Sequence, residues 1–234
     1  MSGKLELGSY EIDLTNQLGM GTFGIVYPGK HKTRGTKVAV KKCEIKTDEH
    51  GSSAMVEIKN FQQLDGHPNI VHLFDFHYRD TCFWMIMEFC DSGNLDTYMR
   101  RTNPDTRAQL DIMLQCAGAL AFMHTREQPI VHRDVKPDNI MMTTDKGKVV
   151  VKVTDFGLAK ISDAPDLGHT ILFSTQAGTP GFMAPEFFNK EPYTKSVDVF
   201  ALGLVFISMV NFKKGDARLL PVVKGKYSTD RTYM

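Results

Sequence analysis

Val131-His132-Arg133-Asp134-Val135-Lys136-Pro137-Asp138-Asn139 sets an acid, a base and a carboxamide within a few residues of one another. A buried helix would not tolerate that density of charge, and Pro137 turns Lys136 away from the α conformation. The stretch is therefore a loop, and loops with clustered polar groups are where function concentrates. Asp134 can accept a proton from a hydroxyl. Lys136 can steady a phosphoryl oxygen, and Asn139 can offer its carbonyl oxygen to a hard cation such as Mg²⁺.

Downstream of this loop, Ile140 to Met142 and Val149 to Thr154 read as a hairpin turned at Asp145-Lys146-Gly147, presenting Asp155-Phe156-Gly157 at its end. Ile161 to Gln176 is polar and aperiodic and reads as a mobile loop. Val197 to Val210 is strongly apolar and reads as a buried helix central to its lobe, with Asp198 not expected to be merely exposed.

Upstream, Met1 to Gly8 reads as a loose leader, and Tyr10 to Leu18 as an extended segment entering Gly19-Met20-Gly21-Thr22-Phe23-Gly24-Ile25-Val26-Tyr27. Its three glycines let backbone N–H groups approach phosphates. A following helix would point to a dinucleotide fold and a following strand to a phosphate flap; Ile25-Val26-Tyr27 favours the strand. Pro28 points to an edge strand. Val38-Ala39-Val40-Lys41 is a β-branched strand ending in a lysine, with Lys42 beside it. A helix is expected over Ala54 to Leu64, with Ile58, Phe61 and Leu64 inward and Glu57 placed to reach a cation across a cleft. Ile70 to His77 and Cys82 to Phe89 read as strands turned at Arg79-Asp80. Asn103-Pro104 reads as a helix start, followed by an apolar stripe of Leu110, Met113, Leu114, Ala117, Leu120 and Ala121, with His124 as a C-terminal cap.

The 234 residues, 42% hydrophobic, suffice for one domain or for two lobes sharing a cleft. A formal net charge of +1 gives no electrostatic case for a nucleic-acid or membrane partner. The four cysteines form no CxxC pair and fit an intracellular, reducing setting, cytoplasmic or nuclear. No signal-peptide core or bilayer-length apolar run is present.

Taken in order, Gly19-x-Gly21-x-x-Gly24-x-Val26, Val38-Ala39-Val40-Lys41, Glu57, His132-Arg133-Asp134-x-Lys136-x-x-Asn139, Asp155-Phe156-Gly157, Ala184-Pro185-Glu186 and Asp198 resemble the eukaryotic protein kinase family over roughly Tyr10 to Val210. Lys136 and Gly178-Thr179-Pro180 look like its serine/threonine branch. Met87-Glu88-Phe89-Cys90 and Phe200-Ala201-Leu202-Gly203 look somewhat like the small kinase group that associates with PDZ-LIM proteins.

The resemblance implies an α+β bilobal fold, with a small β-rich N-lobe carrying one helix and a larger, mainly helical C-lobe. It places a leader over 1–9 and a kinase domain over 10–234: N-lobe about 10–87, hinge 88–94, C-lobe 95–234. The family continues with further helices and an arginine for the residue equivalent to Glu186, so the C-lobe is expected to be truncated after the central helix; Arg218 and Arg231 are the arginines at hand.

The implied activity is transfer of the ATP γ-phosphate to a protein Ser/Thr hydroxyl. Asp134 would be the base and Lys136 the stabiliser of the phosphoryl group. Lys41, aimed by Glu57, would hold the α- and β-phosphates, and Asn139 and Asp155 would hold Mg²⁺. Adenine would lie between Leu18, Val26 and Ala39 above and Met141 below, bonded to the backbone of Glu88 and Cys90, with Met87 behind. Thr179 would bond Asp134 and Lys136. An upstream kinase acting on Thr175, with Thr170 and Ser174 as runners-up, would order the loop through Arg133. The competing reading is a non-catalytic ATP-binding scaffold or an inactive truncated kinase fragment.

Overall fold

A computed structural model describes residues 3–21, 24–161, 178–188, 193–213 and 218–219. The N-terminal part is a curled antiparallel sheet. Its strands are β1 (Lys4–Leu7), β2 (Tyr10–Asp13), β3 (Gly19–Gly21), β4 (Gly24–His31), β5 (Lys37–Glu44), β6 (Leu73–Arg79) and β7 (Cys82–Glu88), and helix α1 (Asp48–Gln63) is inserted between β5 and β6. The spatial order is β1-β2-β4-β5-β7-β6, with β3 paired to β4. The remainder carries α2 (Leu95–Thr102), α3 (Thr106–His124), β8 (Ile130–Val131), the hairpin β9 (Ile140–Asp145) and β10 (Lys148–Val153), β11 (Lys160–Ile161), α4 (Pro185–Phe188) and α5 (Ser196–Asn211). This is the bilobal arrangement expected: a β-rich lobe with one helix above a mainly helical one.

Strand alternation sorts the upper lobe into two faces. Val38 and Val40 point into an apolar cluster with Ile12, Tyr27, Trp84 and Ile86. Lys41 and Cys43 point the other way, towards α1 and the cleft. The period of two also separates the adjacent lysines: Lys42 lies over the Trp84 ring, 5.4 Å from its centroid.

Several expectations are corrected. Lys4–Leu7 is not a loose leader, because it pairs with Tyr10–Asp13 in full register. β4 is not an edge strand. β2 pairs with it only from Gly29 onward and β3 only up to Val26. Pro28 sits in the gap between those pairings, where its missing N–H costs no ladder bond.

Helix α1 begins earlier than Ala54, at Asp48. Asn103 does not start a helix. It closes α2 in the left-handed conformation (φ 45°), and Asp105 caps α3 by accepting from the Ala108 N–H at 2.8 Å. The buried face of α3 is Ile112, Cys116, Ala119, Leu120 and Met123, while Leu110 and Leu114 of the expected stripe are exposed. Helix α5 buries Val197, Ala201, Leu202, Val205 and Met209 but exposes Val199, Ile207 and Val210.

Of the loop expected over 161–176 only Ile161 is described, so Thr170, Ser174 and Thr175 lie outside the described residues, as does Arg231. Arg218 is described and lies 3.8 Å from Asp138 rather than against Glu186. Among the described residues no helix is long and apolar enough to cross a membrane.

Candidate active site

The upper cluster is built on Lys41. Its ammonium lies 2.7 and 2.9 Å from the two Glu57 oxygens and 2.8 Å from Asp155 Oδ1. Three elements deliver these groups: β5, the inward face of α1 and the end of β10. Glu57 is almost fully buried and Lys41 nearly so. Burial by itself would lower the Lys41 pKa, but the charges of Glu57 and Asp155 outweigh it and raise it. Burial, the largest influence on Glu57, pushes its carboxyl up against the pull of Lys41. Burial would raise Asp155 too, but the charge and hydrogen bond of Lys41 win and hold it below the ordinary carboxylate value.

Asp155 adopts φ +66°, a left-handed conformation tolerated by Asp better than by most residues. The Phe156 ring behind it packs edge-on against Phe61 at 4.9 Å and, tilted, against His132 at 5.3 Å. Asn60, one turn after Glu57 on α1, donates to the Phe156 carbonyl at 3.3 Å. These contacts tie α1 to the segment carrying Asp155.

The motif glycines that are described, Gly19, Gly21 and Gly24, lie on β3 and β4 beside this cluster. Val26 pairs with Lys41 on one side and with Gly19 on the other. Gly24 stands at φ +149°, and a Cβ there would run into the Lys42 carbonyl, so only glycine fits. At Gly19 and Gly21 a Cβ would meet nothing within 4 Å, so the fold itself does not demand glycine at either position. A cavity of about 340 Å³ is bounded by Gly21 and Gly24 and reaches Glu57 and Gly157.

The lower cluster is built on the loop from Val131 to Asn139. Asp134 Oδ1 accepts from Thr179 Oγ1 at 2.9 Å, and its Oδ2 lies 2.7 Å from Lys136 Nζ. Lys136 also donates to Thr179 Oγ1 at 2.7 Å. Asn139 Nδ2 donates to the Asp134 carbonyl at 2.9 Å and to its Oδ2 at 3.1 Å, which leaves the Asn139 side-chain oxygen facing elsewhere. The Asn139 carbonyl in turn accepts from Thr154 N–H at 3.1 Å, which brings Asp155 alongside the loop. His132 Nε2 donates to the Thr154 carbonyl at 3.0 Å, so Nδ1 is the acceptor for Asp134 N–H at 3.3 Å.

Beneath the loop, fully buried Asp198 accepts from the backbone N–H groups of His132 and Arg133, each at 2.8 Å. It accepts from His124 Nε2 at 2.8 Å as well, so His124 is an anchor of Asp198 and not a helix cap. Arg133, itself at φ +66°, donates to the Leu158 carbonyl at 2.5 Å and to Tyr193 OH at 3.2 Å.

The positions expected around adenine are linked in pairs. Ala39 pairs with Met87 across β5 and β7. Leu18 N–H donates to the Val26 carbonyl at 2.8 Å. Met141 bridges to Asn94, and the Met142 N–H donates to the Gly93 carbonyl at 2.7 Å, which draws β9 up to the segment after Glu88. Met87 and Cys90 are buried, whereas Leu18 is about half exposed. Sequence reasoning missed Asn60, Tyr193 and the pairing of His124 with Asp198. Only Asn60 left a signal, its i, i+3 spacing from Glu57.

The chain matches the protein kinase domain family over residues 12–215 and belongs to that family, in its serine/threonine branch. It is 31% identical over 211 residues to the probable serine/threonine-protein kinase zyg-1 of Caenorhabditis elegans, covering 89% of this chain and 28% of that protein. It is 30% identical to serine/threonine-protein kinase ATG1b of Arabidopsis thaliana, covering 89% and 28%. With human serine/threonine-protein kinase ULK1 the identity is 29%, covering 87% of this chain and 19% of that protein. The chain thus spans less than a third of the length of these relatives.

Proposed function

We propose that the protein transfers the ATP γ-phosphate to a serine or threonine hydroxyl of a protein substrate. The observation that carries this reading is Lys41 shared between Glu57 and Asp155 beside the glycine-bearing strands β3 and β4, next to a loop whose ammonium and carboxamide converge on the Asp134 carboxylate. Phosphoryl transfer asks for positioning and charge neutralisation more than for covalent chemistry.

Asp134 orients the substrate hydroxyl and takes its proton as the new O–P bond forms and the bond to the β-phosphate oxygen breaks. Thr179 and Asn139 hold the Asp134 carboxylate in place for this. Lys136, within reach of both Asp134 and Thr179, offsets charge gathering on the γ-phosphoryl oxygens. Lys41 grips the α- and β-phosphates, and Glu57 keeps its ammonium aimed. Asp155 and the Asn139 side-chain oxygen suit magnesium, which would neutralise and orient the phosphate oxygens when bound; two protein oxygens fit a cation that keeps water and phosphate ligands. The adenine edge would bond to the backbone of Glu88 and Cys90, between Leu18, Val26, Ala39 and Met141. An upstream kinase acting on Thr175, with Arg133 receiving the phosphate, completes the reading.

The test is a thermal-shift titration with Mg-ATP followed by radiolabel transfer to a generic basic protein. Wild type should be stabilised and should transfer label. Lys41→Ala and Asp155→Ala should each lose roughly a thousandfold or more in transfer, the scale that charge stabilisation reaches in this chemistry. Wild-type-like turnover in either variant would remove these roles, and binding without transfer by the wild type would select the scaffold reading.

A further inference from the structure

The Glu88 carboxylate is held by a cation from the opposite lobe. Its Oε2 lies 2.8 Å from Lys152 Nζ and accepts from the His72 N–H at 3.2 Å. The Glu88 N–H donates to the His72 carbonyl at 2.9 Å, so the end of β7 is clamped to His72 through both backbone and side chain. Lys152 lies on β10, directly opposite Met141 of β9. One ion pair therefore joins the last strand of the upper lobe to the hairpin expected to floor the adenine site.

The segment that carries His72 is fastened to the same hairpin. Val71 N–H donates to the Val153 carbonyl at 3.0 Å, and Val153 N–H to the Asn69 carbonyl at 2.8 Å. Asn69 Nδ2 adds bonds to the Val151 carbonyl at 3.0 Å and to Gln115 Oε1 at 2.9 Å. Segment to hairpin, Glu88 to segment and Lys152 to Glu88 make a closed triangle behind the hinge. The Lys152 and Glu88 side chains are only 13% and 25% exposed, so water screens this pair less than a surface one.

We infer that Lys152 is a positioning residue for nucleotide binding: by holding the Glu88 carboxylate it presets the backbone of 88–90 that receives the adenine edge. The inference rests on the nucleotide-binding reading above. A hinge already in place spares the ordering entropy that binding would otherwise cost, so the effect falls on affinity rather than on the chemical step. Lys152 makes no contact with Asp134, Lys136 or Lys41 among the interactions of the described residues.

Lys152→Met should raise the ATP Kd and KM about five- to tenfold and leave kcat within about twofold. Lys152→Arg keeps the pair and should stay near wild type. Kd is read by titration with a fluorescent ATP analogue, beside a nucleotide-free melt that reports folding; Lys152→Gln makes the same comparison should the methionine variant not fold. An unchanged Kd in the charge-removing variants, whatever the melt does, overturns the inference. So does an equal rise in Lys152→Arg. Wild-type protein that fails to bind ATP sinks the nucleotide reading itself, whereas wild-type binding with unchanged Kd in Lys152→Met sinks only the role of Lys152.

Discussion

Around Lys41 one ammonium is shared by two carboxylates arriving from separate elements, whereas around Asp134 one carboxylate is wrapped by donors drawn mostly from its own loop. With all three groups ionised, the upper cluster carries one negative charge in excess, and Asp155 is its more exposed carboxylate. A cation arriving beside Asp155 would balance it. The lower cluster is already neutral as a pair, with a hydroxyl and an amide completing the Asp134 coordination. The upper cluster therefore exists only when α1, β5 and the end of β10 are packed together; the lower one needs little beyond its loop and the Asp198 anchor. The first is suited to holding a charged ligand and the second to handling a proton.

The strongest way to break this division is Asp134→Asn. The amide keeps the shape of the side chain but cannot take a proton, so transfer should fall by about 10²–10⁴-fold, the range of general-base contributions. ATP binding should change by less than about threefold. Radiolabel transfer and a nucleotide titration on the same preparation check both numbers, and an equal loss in the two would show that the clusters do not divide the work.

A second test moves from chemistry to stability. Asp198→Ala strips the acceptor from two buried backbone N–H groups and from His124, and should cost about 3–5 kcal/mol in a denaturant melt. Asp198→Asn retains one acceptor oxygen and should cost less. Equal, small losses in both would mean that the loop is held by something other than Asp198.

The same contrast explains what could be read in the sequence. The lower cluster was legible because Asp134, Lys136 and Asn139 lie within one short stretch and Pro137 keeps Lys136 extended, although Pro137 itself opens a 3-10 turn over Pro137–Asn139. The upper cluster was legible only as isolated motifs; that Lys41 and not Lys42 faces the cleft follows from strand register, which one strand alone does not fix. Helix α3 shows where periodicity fails. It is apolar on nearly every side, so Leu110, Met113, Leu114 and Ala117 fit a helical stripe as well as Ile112, Cys116 and Ala119 do. Packing against β10 and α5 buries the second set, leaves Met113 half-buried against it and exposes Leu110 and Leu114. Asn103 misled because Asn-Pro is a strong start signal, but the short helix before it needed a left-handed residue to end on, and asparagine tolerates that nearly as well as glycine. Asp198 gave no local cue to its partners, which lie 66, 65 and 74 residues away.

Two thiols offer the finest comparison, one beside each cluster. Cys43 shares the cleft face of β5 with Lys41; Cys116 lies in the core beneath the Asp134 loop beside His132 and Asn139. Burial pushes each up to about 12, with Lys41 pulling Cys43 down while Glu57 and Asp155 push it up. The native state therefore keeps these protons longer than the unfolded chain, and its stability should fall as pH rises from about 8.5 towards 12. Between pH 8 and 10, alkylation of the native thiols should rise about tenfold per pH unit with no plateau, whereas denatured thiols should level off near pH 9. Lys41→Met removes the cation that favours the Cys43 thiolate, so Cys43 should slow further by less than about tenfold while Cys116 holds its rate. Peptide mass spectrometry of partially alkylated protein reads the two sites separately. Equal slowing at both would mean that the Lys41 cluster is felt throughout the core, and the separation between the clusters would not stand.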